Sequence, residues 1–100
     1  SEIEAAIYFC CLEAMQNAGK HAGDGARMCV AVGNGAGALW FEVRDDGAGF
    51  DTALAGEGHG FLNMRDRLGA FGGELEVRSV VGEGTTIRGA VPVGTALGEP

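Results

Sequence analysis

Glu13, Asn17 and Lys20 stand four and three positions apart in a stretch free of proline. At about 100° per residue, a helix would bring the three within roughly 60° of one another. One acid, one neutral amide oxygen and one base then share a stripe. Asparagine is a mediocre helix former. Its carbonyl at mid-helix suits a hard cation such as magnesium, which keeps most of its waters and needs one protein contact beside phosphate oxygens. The competing reading of the stripe is a solvated face. A second cluster, Asp45-Asp46-Gly47-Ala48-Gly49-Phe50, follows directly on a strand-like run. A carboxylate at a strand end beside two glycines lets a ligand lie against bare backbone. An ionised aspartate only accepts hydrogen bonds, so in a pocket Asp45 selects a donating edge such as the amino group of adenine and repels the carbonyl of guanine. The plainer alternative is an acidic turn after an edge strand. The third cluster, Gly56-Glu57-Gly58-His59-Gly60, runs into a helical pattern. Glycines ahead of a helix N-terminus expose amide groups and the positive dipole end, which suits anionic phosphate. A flexible linker is the alternative there, and His59 alone indicates no chemistry.

The elements that must position these clusters follow from periodicity. Ile3, Ile7, Cys10 or Cys11, Ala14 and Ala18 recur at helical spacing and predict one long amphipathic helix ending near Gly23. Met28, Val30 and Val32, then Leu39, Phe41 and Val43, alternate as two strands, with Gly33-Asn34-Gly35-Ala36-Gly37 as the hairpin connection. Asp45 to Gly60 lacks periodicity and reads as a long functional loop. Phe61, Met64, Leu68 and Phe71 predict a second helix closed by Gly72-Gly73. Strands at Leu75–Ser79 and Thr85–Val91 follow, joined at Gly82-Glu83-Gly84. Segregated element types imply an α/β two-layer sandwich (α+β), a mixed and mostly antiparallel sheet with its helices on one face. Residues 1–93 form the domain and residues 94–100 a frayed tail.

Composition narrows the function classes. One hundred residues suit a single domain, and a formal charge of −7 with one lysine argues against nucleic acid, whose backbone is bound by Lys/Arg neutralisation. No apolar run reaches the ~18–20 residues a membrane span needs, so no direct membrane contact is expected, and no secretory signal is expected either. Three cysteines, an odd number, suit a reducing compartment and read as small buried apolar residues. With no CxxC and only two histidines, zinc is not expected. The P-loop is absent because the sole lysine precedes His21, and the Gly33-Gly35-Gly37 run precedes a strand, which a dinucleotide fingerprint does not.

In this order the clusters resemble one family. Glu13-Ala14-Met15-Gln16-Asn17-Ala18-Gly19-Lys20-His21-Ala22 is similar to the N box of the gyrase, chaperone, histidine-kinase and mismatch-repair ATPase superfamily, Asp45-Asp46-Gly47-Ala48-Gly49 to its DxGxG box, and Gly58-His59-Gly60-Phe61 to its second glycine box. Gly60 through Leu68, Phe71-Gly72-Gly73 and Gly82-Glu83-Gly84-Thr85 resemble the nitrate-sensor and desaturase-regulator class of sensor histidine kinases. The resemblance spans roughly residues 5 to 92. Each box alone is weak, and four in order at the family's spacing are specific.

The resemblance implies the left-handed βαβ (Bergerat) ATP-binding sandwich with ATP and magnesium as cofactors. Asn17 would hold the magnesium and Asp45 the adenine amino group. Gly47 and Gly49 would let the base approach, and Gly58 and Gly60 would line the phosphates under a lid spanning about Asp51 to His59. Lys20, His21 and His59 match positions near the phosphates, Thr85 one beside the adenine pocket, and Glu13 the hydrolases' water-activating position. A further implication is that the strand before the N box and the phosphoacceptor helix pair belong to a larger parent kinase. That parent would be cytoplasmic or present this domain on the cytoplasmic side of a membrane anchor. The domain would pass phosphate to a histidine on the parent's dimerisation domain, and from there to a response regulator. Alone it would bind ATP without autophosphorylating. An anti-sigma-type serine protein kinase and a non-catalytic docking module with the same fold are the alternatives.

Overall fold

The computed structural model describes residues 1–23, 25–52 and 60–93. The expected tail and most of the expected lid lie outside these. Six elements follow in the order α1 (Glu2–His21), β1 (Met28–Gly35), β2 (Ala38–Asp45), α2 (Phe61–Gly69), β3 (Glu74–Val80) and β4 (Gly84–Pro92). The expected two-layer arrangement is the one observed. The strands pair antiparallel in the order β1-β2-β4-β3. Because β2 and β3 both run antiparallel to β4, they run parallel to each other, and α2 bridges them with β4 inserted between. Both helices pack on one face, α1 chiefly over β2 and β4 and α2 over β3 and β4.

Local chemistry accounts for the element ends. Ser1 caps α1: its hydroxyl accepts from the Glu4 amide at 3.2 Å, and the Glu4 carboxylate reaches back to the Ser1 nitrogen at 2.9 Å, a capping box. The β1–β2 hairpin differs from the expected five-residue connection. Gly33, Asn34 and Gly35 stay in the ladder, paired with Trp40, Leu39 and Ala38, and only Ala36 and Gly37 turn, at φ 54° and 78°. Two central residues with positive φ match the right-handed strand twist, so the short turn wins although one of them is alanine. Within the ladder the Trp40 ring lies over Gly33, where a Cβ would stand 2.8 Å from it.

Ile7, Cys10, Cys11 and Ala14 of α1, Phe41 and Val43 of β2, Phe61, Met64 and Leu68 of α2, and Ile87 and Val91 of β4 form the core. Small side chains at Cys10 and Ala14, both fully buried, bring α1 down onto the sheet. Arg67 of α2 places its guanidinium 3.7 Å from the centre of the Phe9 ring on α1, tying the helices along their outer seam. Met28, Val30 and Val32 share the helix-facing side with Phe41 and Val43 yet stay 43–47% exposed, because α1 covers β2 and β4 and reaches β1 only at its margin.

The expectation that all three cysteines are buried holds for Cys10 and Cys11 and fails for Cys29, which is exposed on edge strand β1 opposite Arg44, on the side away from the helices. Burial pushes the Cys10 thiol from 9.0 up to about 11, against the opposing pull of Arg67, and raises Cys11 as well. In the folded protein a disulfide reagent should therefore label one thiol rapidly and the other two only after denaturant is added. Two or more fast thiols would contradict this packing. Above pH 9.0 the unfolded chain releases a proton that folded Cys10 retains. Stability from this residue is thus whole below that pH and is lost as pH climbs toward about 11.

Candidate functional site

The helix-facing side of the sheet changes character at one end. Rows of Val30–Val43–Ile87–Val77 and Val32–Phe41–Gly89–Leu75 give way to a row in which Asp45 of β2 stands opposite Thr85 of β4, and Thr85 opposite Ser79 of β3. A polar row at the margin of an apolar face needs partners, and two loops and a helix supply them. Gly47 donates its amide hydrogen to Asp45 Oδ1 at 2.9 Å. Asp46 Oδ1 accepts from the Arg27 amide at 2.6 Å, which ties the start of the loop to the segment before β1. The loop after β2 is then pinned: the Ala48 amide donates to the Ala22 carbonyl at 3.0 Å, the Gly82 amide to the Ala48 carbonyl at 2.6 Å, and the Phe50 amide to Ser79 Oγ at 2.8 Å. The expected long loop is therefore rigidly tied through residue 50.

Between this loop and the helices lies a cavity lined by Asn17, Ala18 and Ala22 of α1 and its cap, by Asp45, Thr85 and Ile87 of the sheet, and by Phe50 and Phe61. The two phenylalanine rings stack at 6.1 Å between centres and 27° between planes. Free volume inside is about 10 Å³, room for about one water molecule, so a flat aromatic ligand enters only as the lining moves apart. Its chemistry is an apolar slot with a carboxylate and a hydroxyl on one wall and an amide on another. Asn17 is 8% exposed and is the buried polar residue of the described core, so the solvated-face reading of its helix stripe does not apply to it.

The residues singled out by sequence fall into distinct groups. Asn17, Asp45 and Thr85 meet in the cavity. Glu13 is half-buried one turn before Asn17, its Oε1 3.1 Å from where a Cβ on Gly60 would stand. Gly60 caps α2 at φ 72°, a left-handed conformation that suits glycine. Lys20 is on the exposed side of α1 and does not line the cavity. Gly47 and Gly49 are not among the residues that line this cavity. A side chain on Gly47 would run into Ala22, and one on Gly49 into the Val80 carbonyl, so the close backbone packing of the loop requires glycine at both positions. Gly58, His59 and the side chain of His21 lie outside the described residues.

Sequence alone marks none of Ser79, Phe50, Phe61 and Ala22 as a ligand-contacting residue. For Ser79 a signal existed: alternation along β3 puts it on the core face after Leu75 and Val77, where a hydroxyl is out of pattern.

Metal binding can be weighed from the donor set. No cluster of three His, Cys, Asp or Glu side chains exists among the described residues. An amide oxygen from Asn17 is a hard ligand, and it fits a cation that takes its remaining oxygens from phosphate and water, as magnesium does.

Residues 2–95 match the family model described as histidine kinase-, DNA gyrase B-, and HSP90-like ATPase. The chain is 31% identical over 94 residues to the signal transduction histidine-protein kinase/phosphatase DegS of Brevibacillus brevis, an alignment covering 93% of this chain and 24% of that protein. Among solved structures, the histidine kinase domain of the Erythrobacter litoralis EL346 blue-light activated histidine kinase superposes with a TM-score of 0.74 at 24% identity, covering 92% of this chain and 45% of that one. A longer structure of the same kinase gives 0.78 at 24% identity, over 92% and 31%. The chain thus spans about a quarter of the curated relative it matches.

Proposed function

Because this chain belongs to the histidine kinase-, DNA gyrase B- and HSP90-like ATPase family, we propose that it is the Mg-ATP-binding catalytic domain of a two-component sensor histidine kinase of the nitrate-sensor and desaturase-regulator class. It would act in the cytoplasm and donate the γ-phosphate to a histidine on the parent's dimerisation domain, from which a response regulator takes it. The observation that carries this reading is the meeting of Asn17, Asp45 and Thr85, residues from three separate elements, in one slot. In it, Asp45 accepts from the adenine amino group while Gly47 holds the carboxylate in place. Phe50 and Phe61 flank the base. Asn17 would hold the magnesium, which supplies charge neutralisation on the phosphate oxygens. Exposed amides at the α2 N-terminus, beginning at Gly60, add dipolar attraction for the same oxygens. Glu13 would serve with Asn17 at the phosphate end, an assignment its nearness to Gly60 supports. Phosphoryl transfer needs positioning and charge stabilisation more than covalent help from the protein, and this set is suited to both.

The test is Asp45→Asn. Asparagine keeps an oxygen for the Gly47 amide but turns a donor toward the base amine. ATP affinity should fall by ~10- to 100-fold, the range of a lost hydrogen bond to a charged group, and preference over GTP should vanish. A variant that binds ATP and GTP as the parent does would show that the pocket assignment is wrong.

A further inference from the structure

Ser79 Oγ makes three hydrogen bonds. It accepts from the Phe50 amide at 2.8 Å, donates to the Gly84 carbonyl at 3.1 Å, and meets Thr85 Oγ1 at 2.7 Å, where either atom could be the donor. A serine hydroxyl has one hydrogen and two lone pairs. The amide takes a lone pair and the carbonyl takes the hydrogen, so only one assignment satisfies all three contacts: Thr85 donates to Ser79. The single hydrogen of Thr85 is then directed away from the cavity, and its lone pairs are left for the cavity side. Thr85 stands in register between Ser79 and Asp45. Asp45 is itself an acceptor, with Oδ1 engaged by the Gly47 amide.

We infer that Ser79 is a positioning residue for base selection: by fixing the sense of the Thr85 hydroxyl it makes the polar wall of the slot acceptor-only. This rests on the nucleotide reading above and deepens it. Two adjacent acceptors match an exocyclic amino group, whose two hydrogens can serve one acceptor each, directly or through a water, and reject the carbonyl that guanine carries in the same position. Discrimination of this kind is strong because a mismatched edge leaves buried polar groups unpaired. Ser79 touches no ligand in this scheme and acts through Thr85.

The experiment is calorimetric titration of Mg-ATP and Mg-GTP into the parent domain, Ser79→Ala, Ser79→Thr, Thr85→Val and the Ser79→Ala/Thr85→Val double variant. In Ser79→Ala the threonine hydrogen is free to turn into the slot and serve a carbonyl edge. The ATP:GTP affinity ratio should narrow by about five- to tenfold, the worth of one ordinary hydrogen bond. Ser79→Thr restores the hydroxyl and should restore the ratio. With Thr85 replaced by valine, adding Ser79→Ala should leave the ratio where Thr85→Val alone puts it. A role confined to holding the Phe50 loop would instead weaken both nucleotides together and leave the ratio unchanged in every background, which overturns the inference. Should Ser79→Ala not fold, Ser79→Cys, with its much weaker hydrogen bonding, carries the same expectation. A parent that prefers ATP while its serine variants keep the parental ratio removes this inference alone. A parent that binds neither nucleotide removes the nucleotide reading and this inference with it.

Discussion

On the proposed function, replacing Asn17 with alanine should lower phosphoryl transfer to a separately supplied phosphoacceptor domain by ~10²- to 10³-fold. The size follows from the several kcal/mol that a bound metal contributes to charge stabilisation at a phosphoryl group, at about 1.4 kcal/mol per tenfold in rate. Asn17 is 8% exposed on α1 and lines one cavity with Asp45 and Thr85. A second readout separates a metal role from general damage. In the parent, magnesium should strengthen ATP binding. In Asn17→Ala the difference between titrations with and without magnesium should collapse, while the circular dichroism spectrum stays that of the folded domain. Unchanged transfer, or an unchanged magnesium effect, would discard the assignment.

The second large effect concerns stability. Phe41 is fully buried in the middle of β2, and its ring fills the space beside Gly89 on β4, where an added Cβ would meet both Phe41 and Leu68. Glycine on an inner strand weakens it by leaving nothing to pack, and an aromatic ring from the neighbouring strand compensates. Phe41→Ala therefore opens a cavity that Gly89 cannot fill. The expected cost is about 3–5 kcal/mol, a large part of the 5–15 kcal/mol that holds an ordinary domain together. For a chain of this size that corresponds to a fall in Tm of about 15–30 °C. A loss below about 1 kcal/mol in denaturant unfolding would show that this ring does not anchor the core.

The elements were legible where one physical signal dominated. Helical spacing of Ile7, Cys10, Ala14 and Ala18 predicted α1, and strict alternation predicted β2 and β3. Glycine misled at the first hairpin. Gly33 and Gly35 resemble turn residues, yet in the ladder Trp40 covers Gly33 and the reversal falls on Ala36 and Gly37. At Gly47 and Gly49 the neighbours on the side-chain side are Ala22 and Val80, which nothing in the local sequence names. Local sequence reports that a close approach occurs without reporting what approaches. Cys29 failed for a related reason: alternation tells which side of a strand a residue occupies, and it does not tell how far the helices extend over an edge.

The candidate site was legible in part for the same kind of reason. Asp45 and Asn17 stand out from residue chemistry alone, one at a strand end and the other out of place in a helix. Thr85 came only from the family resemblance, since nothing local marks a threonine in a strand. What joins it to Asp45, forty positions earlier, is the β2–β4 register, a property of the sheet. Alternation marks Ser79 as a hydroxyl out of pattern on the core face, but its partners come together only through the turn between β3 and β4 and the loop after β2.

The most direct measurement is titration of Mg-ATP into the folded domain by isothermal calorimetry, with Mg-GTP as the companion ligand. Saturable binding at one site per chain, with ATP preferred, is the expected result. A folded domain that gives no heat of binding with ATP, or takes both nucleotides equally, would contradict it.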